Sequence, residues 1–245
     1  MTGDAAPVLE VTDVTKSYGS LPVLASVSLS VAAGEAVGIV GPNGAGKTTL
    51  LDLLAGASRC DAGRVLLEGR DVTRMPPPAR ARMGLGRTFQ VPRPLADLTV
   101  FENALVGAMR AARLRGRHAY TAAYEALDVT GMASQANTRA RSLRLLDRKR
   151  LELARALAMN PRVLLLDEIA GGLSDPETET LVGTIRAVNL AGTAIVWVEH
   201  VLRVLTAVVP RLACLAGGTM IADGQPSDVL ASEAVRDAFL GGGVL

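Results

Sequence analysis

A chain of 245 residues, 49% of them hydrophobic, has room for one large α/β domain with a well-filled core. A formal net charge of +2 and only 3% aromatic residues argue against a global field for nucleic acid and against base-stacking platforms. No apolar run reaches the roughly 18–20 residues that span a bilayer, the opening MTGDAAPVLE lacks the pattern of a secretory leader, and Cys60 and Cys214 stand alone, as suits a reducing compartment rather than a disulfide framework.

Val8–Val14 (VLEVTDV) and Val23–Val31 (VLASVSLSV) alternate apolar and polar residues, which predicts two half-buried antiparallel strands. Lys16-Ser17-Tyr18-Gly19 between them reads as a turn with an exposed tyrosine. Upstream of a phosphate loop, Tyr18 becomes a candidate partner for a purine base, which needs a flat surface to stack on.

That phosphate loop follows at once. The apolar run Ala36–Val40 breaks into Gly41-Pro42-Asn43-Gly44-Ala45-Gly46-Lys47-Thr48-Thr49 and resumes with Leu50, Leu51, Leu53 and Leu54. This is strand, glycine-rich loop and helix with the spacing G-x-x-x-x-G-K-[ST]. Glycines let successive backbone N–H groups point inward around phosphate oxygens, and the helix N-terminus adds partial positive charge. Lys47 supplies a point charge for the β- and γ-phosphates, and the Thr48 hydroxyl suits Mg²⁺. Only three basic residues are lysines (Lys16, Lys47, Lys149), so a chance match to this pattern is improbable.

Gly63–Gly69 predicts a further strand, and Arg70–Arg82, with Pro76-Pro77-Pro78, a connection. Leu85–Gln90 reads as a strand ending on Gln90, followed by a loop set by Pro92 and Pro94. Thr99-Val100-Phe101-Glu102 has the form of a capping box and opens a helix. Arginines gather at 110–117 and 139–150; the first of these regions reads as a solvated basic helix face or loop, and His118 among its arginines lacks metal-site spacing. Tyr120–Val129 predicts a second helix, Gly131–Ala140 a loop, and Arg148–Met159 a third helix.

Arg162–Leu166 is a continuous apolar strand that ends in adjacent carboxylates, Asp167 and Glu168. Open α/β sheets bind ligands at that end of their strands. Asp167 there suits Mg²⁺ through a water, and Glu168 suits a general base that polarises an attacking water. Ser174-Asp175-Pro176-Glu177 starts another helix, and Thr193–Val198 is a buried strand that ends Glu199-His200. Arg211–Gly224 predicts a hairpin about Gly217-Gly218, Pro226–Leu240 two short helices, and Gly241–Gly243 a fraying tail. There is no internal repeat and no linker long enough to separate two domains.

Taken together, Tyr18, Gly41–Thr48, Gln90, the strand ending Asp167-Glu168, and His200 resemble the ATP-binding subunit of ABC transporters over the whole chain. The stretches GLGRTFQ, LTVFENALVGA, RKRLELARALA and VEHVLRVLTAVVPRLACLAGGTMIADGQP resemble, more narrowly, the branched-chain amino acid and urea importers. The resemblance implies a RecA-like P-loop NTPase core with an antiparallel β sub-domain and a helical sub-domain at about 97–160, all within a single ATP-binding domain over 1–245. It implies ATP as substrate with Mg²⁺ held near Thr48, Gln90 and Asp167. It makes Glu168 the catalytic base, and Lys47, Gln90 and His200 its catalytic neighbours, with Tyr18 stacked on the base. The implied setting is the cytoplasmic face of the membrane, with two permease subunits, a second ATPase subunit, an extracytoplasmic solute-binding protein and no nucleic acid. A soluble ABC ATPase of DNA repair or translation would carry tandem modules or a coiled-coil insertion, and neither is visible.

One motif departs from the family. The signature L-S-G-G-Q falls here on Leu143-Arg144-Leu145-Leu146-Asp147. Leu146 adds a side chain where close backbone approach to a partner's nucleotide is wanted, and Asp147 adds negative charge near phosphate. Arg144 compensates in part, since guanidinium pairs with phosphate oxygens. An intact Walker side and an altered signature side imply one half of a heterodimer. The alternative is a nucleotide-gated regulatory or scaffold subunit that hydrolyses weakly.

Overall fold

The computed structural model describes residues 7–240; the expected fraying tail and residues 1–6 of the opening stretch lie outside the described residues. Among the described residues, ten strands run β1 (Pro7–Tyr18), β2 (Leu21–Ala32), β3 (Ala36–Val40), β4 (Ala62–Leu67), β5 (Arg70–Asp71), β6 (Leu85–Arg87), β7 (Val163–Asp167), β8 (Ala194–Val198), β9 (Arg211–Ala216) and β10 (Thr219–Gly224). The α-helices are α1 (Lys47–Ala55), α2 (Pro77–Arg82), α3 (Val100–Arg110), α4 (Gly116–Val129), α5 (Leu145–Leu157), α6 (Asp175–Leu190), α7 (Leu202–Thr206), α8 (Pro226–Ala231) and α9 (Glu233–Leu240).

The strands form two sheets. An antiparallel sheet has the order β2-β1-β4-β5, and a six-stranded sheet the order β10-β9-β3-β8-β7-β6, parallel except for β10. The central strands β3, β7 and β8 are buried at every position, which is why they read as unbroken apolar runs. Their alternate residues face different cores. Val37, Ile39, Val163, Leu165, Val196 and Val198 pack with α1 and the antiparallel sheet. Ala36, Val40, Leu164, Leu166, Ile195 and Trp197 pack with α6 and the C-terminal elements. Each valine, leucine or isoleucine among them contributes about 1.5–3 kcal/mol of burial, so a one-residue slip of any central strand would exchange the two cores.

The helices between β6 and β7 have a third core of small residues, with Ala104 and Ala108 of α3, Ala119 and Ala123 of α4, and Leu151 and Ala154 of α5. Close packing explains the alanines. A Cβ at Gly107 would lie 2.4 Å from the Arg155 carbonyl oxygen, so α3 and α5 touch backbone to backbone there. The Thr99 hydroxyl accepts from the Glu102 N–H at 3.1 Å, and Glu102 Oε2 accepts from the Thr99 N–H at 2.7 Å, completing the expected capping box. Glu177 Oε2 likewise accepts from the Ser174 N–H and hydroxyl at 2.8 and 2.6 Å.

Some local expectations differ from the structure: the strand expected to end on Gln90 stops at Arg87 and leaves Gln90 in the loop beyond it. Lys16–Tyr18 belongs to β1 rather than to a turn, because pairing with β2 continues to Tyr18–Leu21 and only Gly19-Ser20 turn. The proline-rich connection contains α2, with proline in its first turn where no intrahelical N–H is needed. Arg80 on α2 is buried and donates to the carbonyls of Leu53 and Leu54 at 2.5 and 2.7 Å. It thereby satisfies the free carbonyls and the negative end of α1.

Candidate functional site

The loop between β3 and α1 is shaped by its contacts as much as by its glycines. Gly46, with φ 102°, caps α1 and lies against β2, where an added Cβ would come within 2.9 Å of the Val23 carbonyl oxygen. The hairpin that carries Tyr18 at its tip is thus packed on the phosphate loop through Val23 and Leu24. Tyr18 is half exposed, with its hydroxyl 3.5 Å from Ser58 Oγ and the Lys16 ammonium 5.2 Å from its ring centre. Pro42 is partly covered, Ala45 buried, and Asn43, Gly44 and Thr48 exposed, while Thr49 is half-buried.

Lys47 is buried, and its Nζ donates to the Gly41 and Pro42 carbonyls at 2.6 and 2.9 Å. Burial pushes its pKa down, and the nearby Glu168 carboxylate opposes that shift. These two carbonyls hold the ammonium under the loop, in the concavity that phosphate oxygens would share.

Asp167 ends β7 and is buried. Its Oδ2 accepts from Arg87 Nη2 at 3.1 Å, and Arg87 Nη1 donates to Asp52 Oδ1 at 2.6 Å. Burial raises the Asp167 pKa, and the Arg87 guanidinium works against that rise. Arg87 therefore ties α1, β6 and β7 together at one point. It carried no signal beyond its place in GLGRTFQ, since its partners lie 35 and 80 residues away. Replacing Arg87 with methionine leaves two carboxylates without their shared cation. We expect a stability loss of about 2–4 kcal/mol in chemical denaturation, with Arg87→Lys losing less because an ammonium still reaches one of the pair.

Glu168 leaves the strand with φ 45°, an uncommon conformation for a glutamate, while its N–H donates to Val198 O at 2.9 Å. That turn brings its carboxylate between two side chains from other elements. His200 Nε2 lies 2.6 Å from Glu168 Oε1, and the Gln90 amide donates to Glu168 Oε2 at 2.5 Å. The strand order β8-β7-β6 causes this meeting. His200 follows β8, Gln90 follows β6, and Glu168 follows β7 between them. Phe89, beside Gln90, is flanked by the Arg87 and Arg93 guanidinium groups at 5.1 and 5.3 Å.

Two further groups support this turn and were not foreseen. Glu199 is buried, with its pKa raised by that burial, and its Oε1 accepts from the Ala170 N–H at 2.7 Å. Lys149 of α5 is buried with its Nζ 3.5 Å from the Glu168 carbonyl oxygen. Burial lowers the Lys149 pKa, and Glu199 and Glu168 oppose the shift. The altered signature stretch begins that same helix. Arg144 is its exposed N-cap residue, and Asp147 sits in the first turn with Oδ1 3.5 Å from Arg150. A carboxylate there is favoured by the helix N-terminus, which gives Asp147 a role in the fold.

A profile of the ABC transporter family matches residues 24–171. The high-affinity branched-chain amino acid transport ATP-binding protein LivG of Salmonella typhimurium is 34% identical, over 96% of this chain and 98% of that protein. The lipopolysaccharide export system ATP-binding protein LptB of Acidithiobacillus ferridurans is 33% identical, over 96% and 97% respectively. The crystal structure of an ABC transporter ATP-binding cassette in its ADP conformation superposes with a TM-score of 0.88 at 27% identity, over 97% of this chain and all of the other. The phosphate loop, the fold and these relatives agree that this chain belongs to the ABC transporter family, as an ATP-binding subunit whose ATPase activity powers transport.

Proposed function

We propose that this subunit hydrolyses ATP to power import of branched-chain or other hydrophobic amino acids, or of a related small amide such as urea, through a separate permease. The meeting of Gln90, Glu168 and His200 beside the phosphate loop carries the hydrolytic part of this reading. The amino acid part rests on the GLGRTFQ-type stretches and on the likeness to LivG, while LptB stands equally near.

In this reading the backbone of Gly41–Gly46 and the helix N-terminus hold the phosphates, with Pro42, Asn43, Ala45 and Thr49 shaping the loop. Lys47 neutralises charge that develops on the γ-phosphate. Tyr18 stacks on the adenine. Glu168 accepts a proton from the attacking water, His200 and Gln90 aim its carboxylate, and Gln90 reports the state of the site to the permease. Thr48, Asp167 and Gln90 offer the oxygen donors that Mg²⁺ prefers, and a site built from so few protein ligands suits an ion that also takes phosphate oxygens and water. Bound there, Mg²⁺ would neutralise phosphate charge.

Subunits of this family work with membrane permeases, and no described helix is long and apolar enough to cross a membrane. The helical sub-domain at about 97–160 would dock on that permease at the cytoplasmic face, with a solute-binding protein on the far side. The Arg144-Leu146-Asp147 signature motivates a heterodimer in which Lys47 and Glu168 serve the strong site, completed by the partner's signature.

Phosphate release by the purified chain, alone and mixed with its partner ATPase, tests the pairing. We expect turnover only in the mixture. A homodimer at the full rate of a two-site transporter would refute the asymmetry, and tight ATP binding without hydrolysis in both preparations would favour the regulatory alternative. Uptake of labelled leucine against labelled urea by reconstituted vesicles then assigns the solute.

A further inference from the structure

The N-terminal ends of β6 and β7 lie away from the nucleotide site, which occupies their C-terminal ends. Gly84 and Arg162 meet there, with the Arg162 N–H donating to Gly84 O at 2.7 Å. Beside them opens a cavity of about 430 Å³ whose charged lining is Arg70, Arg82, Arg162 and Glu68. Glu68 is its single carboxylate, and it is engaged by Arg162. Arg70 and Arg82 are exposed and make no ion pair among the described residues.

The loop joining α3 to α4 forms another wall through Ala111, Ala112 and Leu114. Interleaved with these are Arg110, Arg113 and Arg115, all exposed and likewise without an ion pair among the described residues. Arg113 holds φ 55°, so this short loop bends back instead of extending α3. The cavity lining thus carries three arginines against one glutamate, and three further exposed arginines lie on the loop that forms its wall. Guanidinium groups are the planar, weakly hydrated donors that pair with phosphate oxygens.

The cavity also adjoins an apolar groove of about 310 Å³, with which it shares Ala81 and Met159, and which Phe89 lines beside Gln90. Where Gln90 and the Phe89-lined groove face a permease, as in the reading above, this basic cavity lies beside that contact. The cytoplasmic surface of a membrane is anionic, and exposed basic residues gain affinity for it one by one.

We propose that this arginine cavity binds the phosphate of anionic phospholipid headgroups and holds the subunit on the membrane beside its permease. The binding needs neither ATP nor hydrolysis, so it stands or falls apart from the assignment of Glu168. It weakens with salt, because the arginines are exposed.

Co-sedimentation of the purified chain with lipid vesicles tests this. Vesicles containing about a third phosphatidylglycerol should bind the chain at least about tenfold more tightly than pure phosphatidylcholine vesicles. The double variant Arg70→Glu/Arg82→Glu should lose that preference and keep the ATP turnover of the unaltered subunit. Arg186→Glu, an exposed charge reversal on α6, should keep both. Equal loss in Arg186→Glu would mean that net charge alone acts, and would overturn the proposal. So would equal binding to both vesicle types. Inorganic phosphate binding in solution as tightly as the vesicles do, and displacing them at constant ionic strength, would assign the cavity to a free anion. Binding that requires the permease and ignores lipid charge would assign it to an acidic protein segment; either result refutes the lipid.

Discussion

Replacing Glu168 with glutamine should lower ATP turnover by about a hundredfold to ten-thousandfold while nucleotide affinity stays near that of the unaltered chain. The geometry makes this a clean subtraction. Glu168 accepts from the Gln90 amide on one oxygen and faces His200 Nε2 with the other. A glutamine can present its carbonyl oxygen to Gln90 and its NH₂ to a neutral His200 in the Nδ1–H tautomer. Shape, contacts and the unusual backbone turn therefore persist, and only the capacity to take a proton from water is lost. Phosphate release measured beside equilibrium binding of a fluorescent nucleotide separates the two quantities. Turnover within about threefold of the unaltered subunit would exclude Glu168 as the base.

Gly41→Ala is the second large effect. A Cβ at Gly41 would sit 1.9 Å from the Leu215 carbonyl oxygen, with the backbone at φ 151°. The obstacle is main chain, in a strand that pairs in parallel with β3 and antiparallel with β10. Neither side can yield by a rotamer change, so the loop must lift or β9 must shift. Lifting the loop also moves the carbonyls of Gly41 and Pro42 that hold Lys47 Nζ. We expect about 3–5 kcal/mol of lost stability and at least about a hundredfold weaker nucleotide binding. Gly44→Ala is the control, since φ 79° strains an alanine but nothing lies within 4 Å of the added carbon. It should cost about 1–2 kcal/mol. Denaturant unfolding and nucleotide titration of both variants check the difference. Equal effects would mean that backbone strain, not the contact with β9, dictates the glycine at 41.

Features written in neighbouring residues were legible from the chain alone. The phosphate loop is a local conformation demanded by its glycines, and Lys47 follows it by covalent connection. The apolar runs of β3, β7 and β8, the capping boxes at Thr99 and Ser174, and the hairpin about Gly217-Gly218 are likewise short-range consequences of periodicity and backbone hydrogen bonding. The extension of β1 to Tyr18 departs from the local reading through hairpin pairing with Leu21–Leu24, and the helix inside the proline-rich stretch is fixed by Arg80, which reaches the carbonyls of α1.

What the sequence determined by itself was the chemistry on offer: a phosphate cradle, a strand ending in two carboxylates, and a glutamine and a histidine after two other strands. Tertiary structure decided which of these groups meet. Placing β7 between β8 and β6 brings His200 and Gln90 to Glu168 across 32 and 78 residues of chain. The same folding joins Arg87 to Asp52 and Asp167, sets Lys149 against the turn after β7, and gathers arginines from β5, α2 and the segment before β7 around one cavity. Local patterns record backbone geometry and burial, whereas encounters between side chains so far apart exist only after the strands have paired.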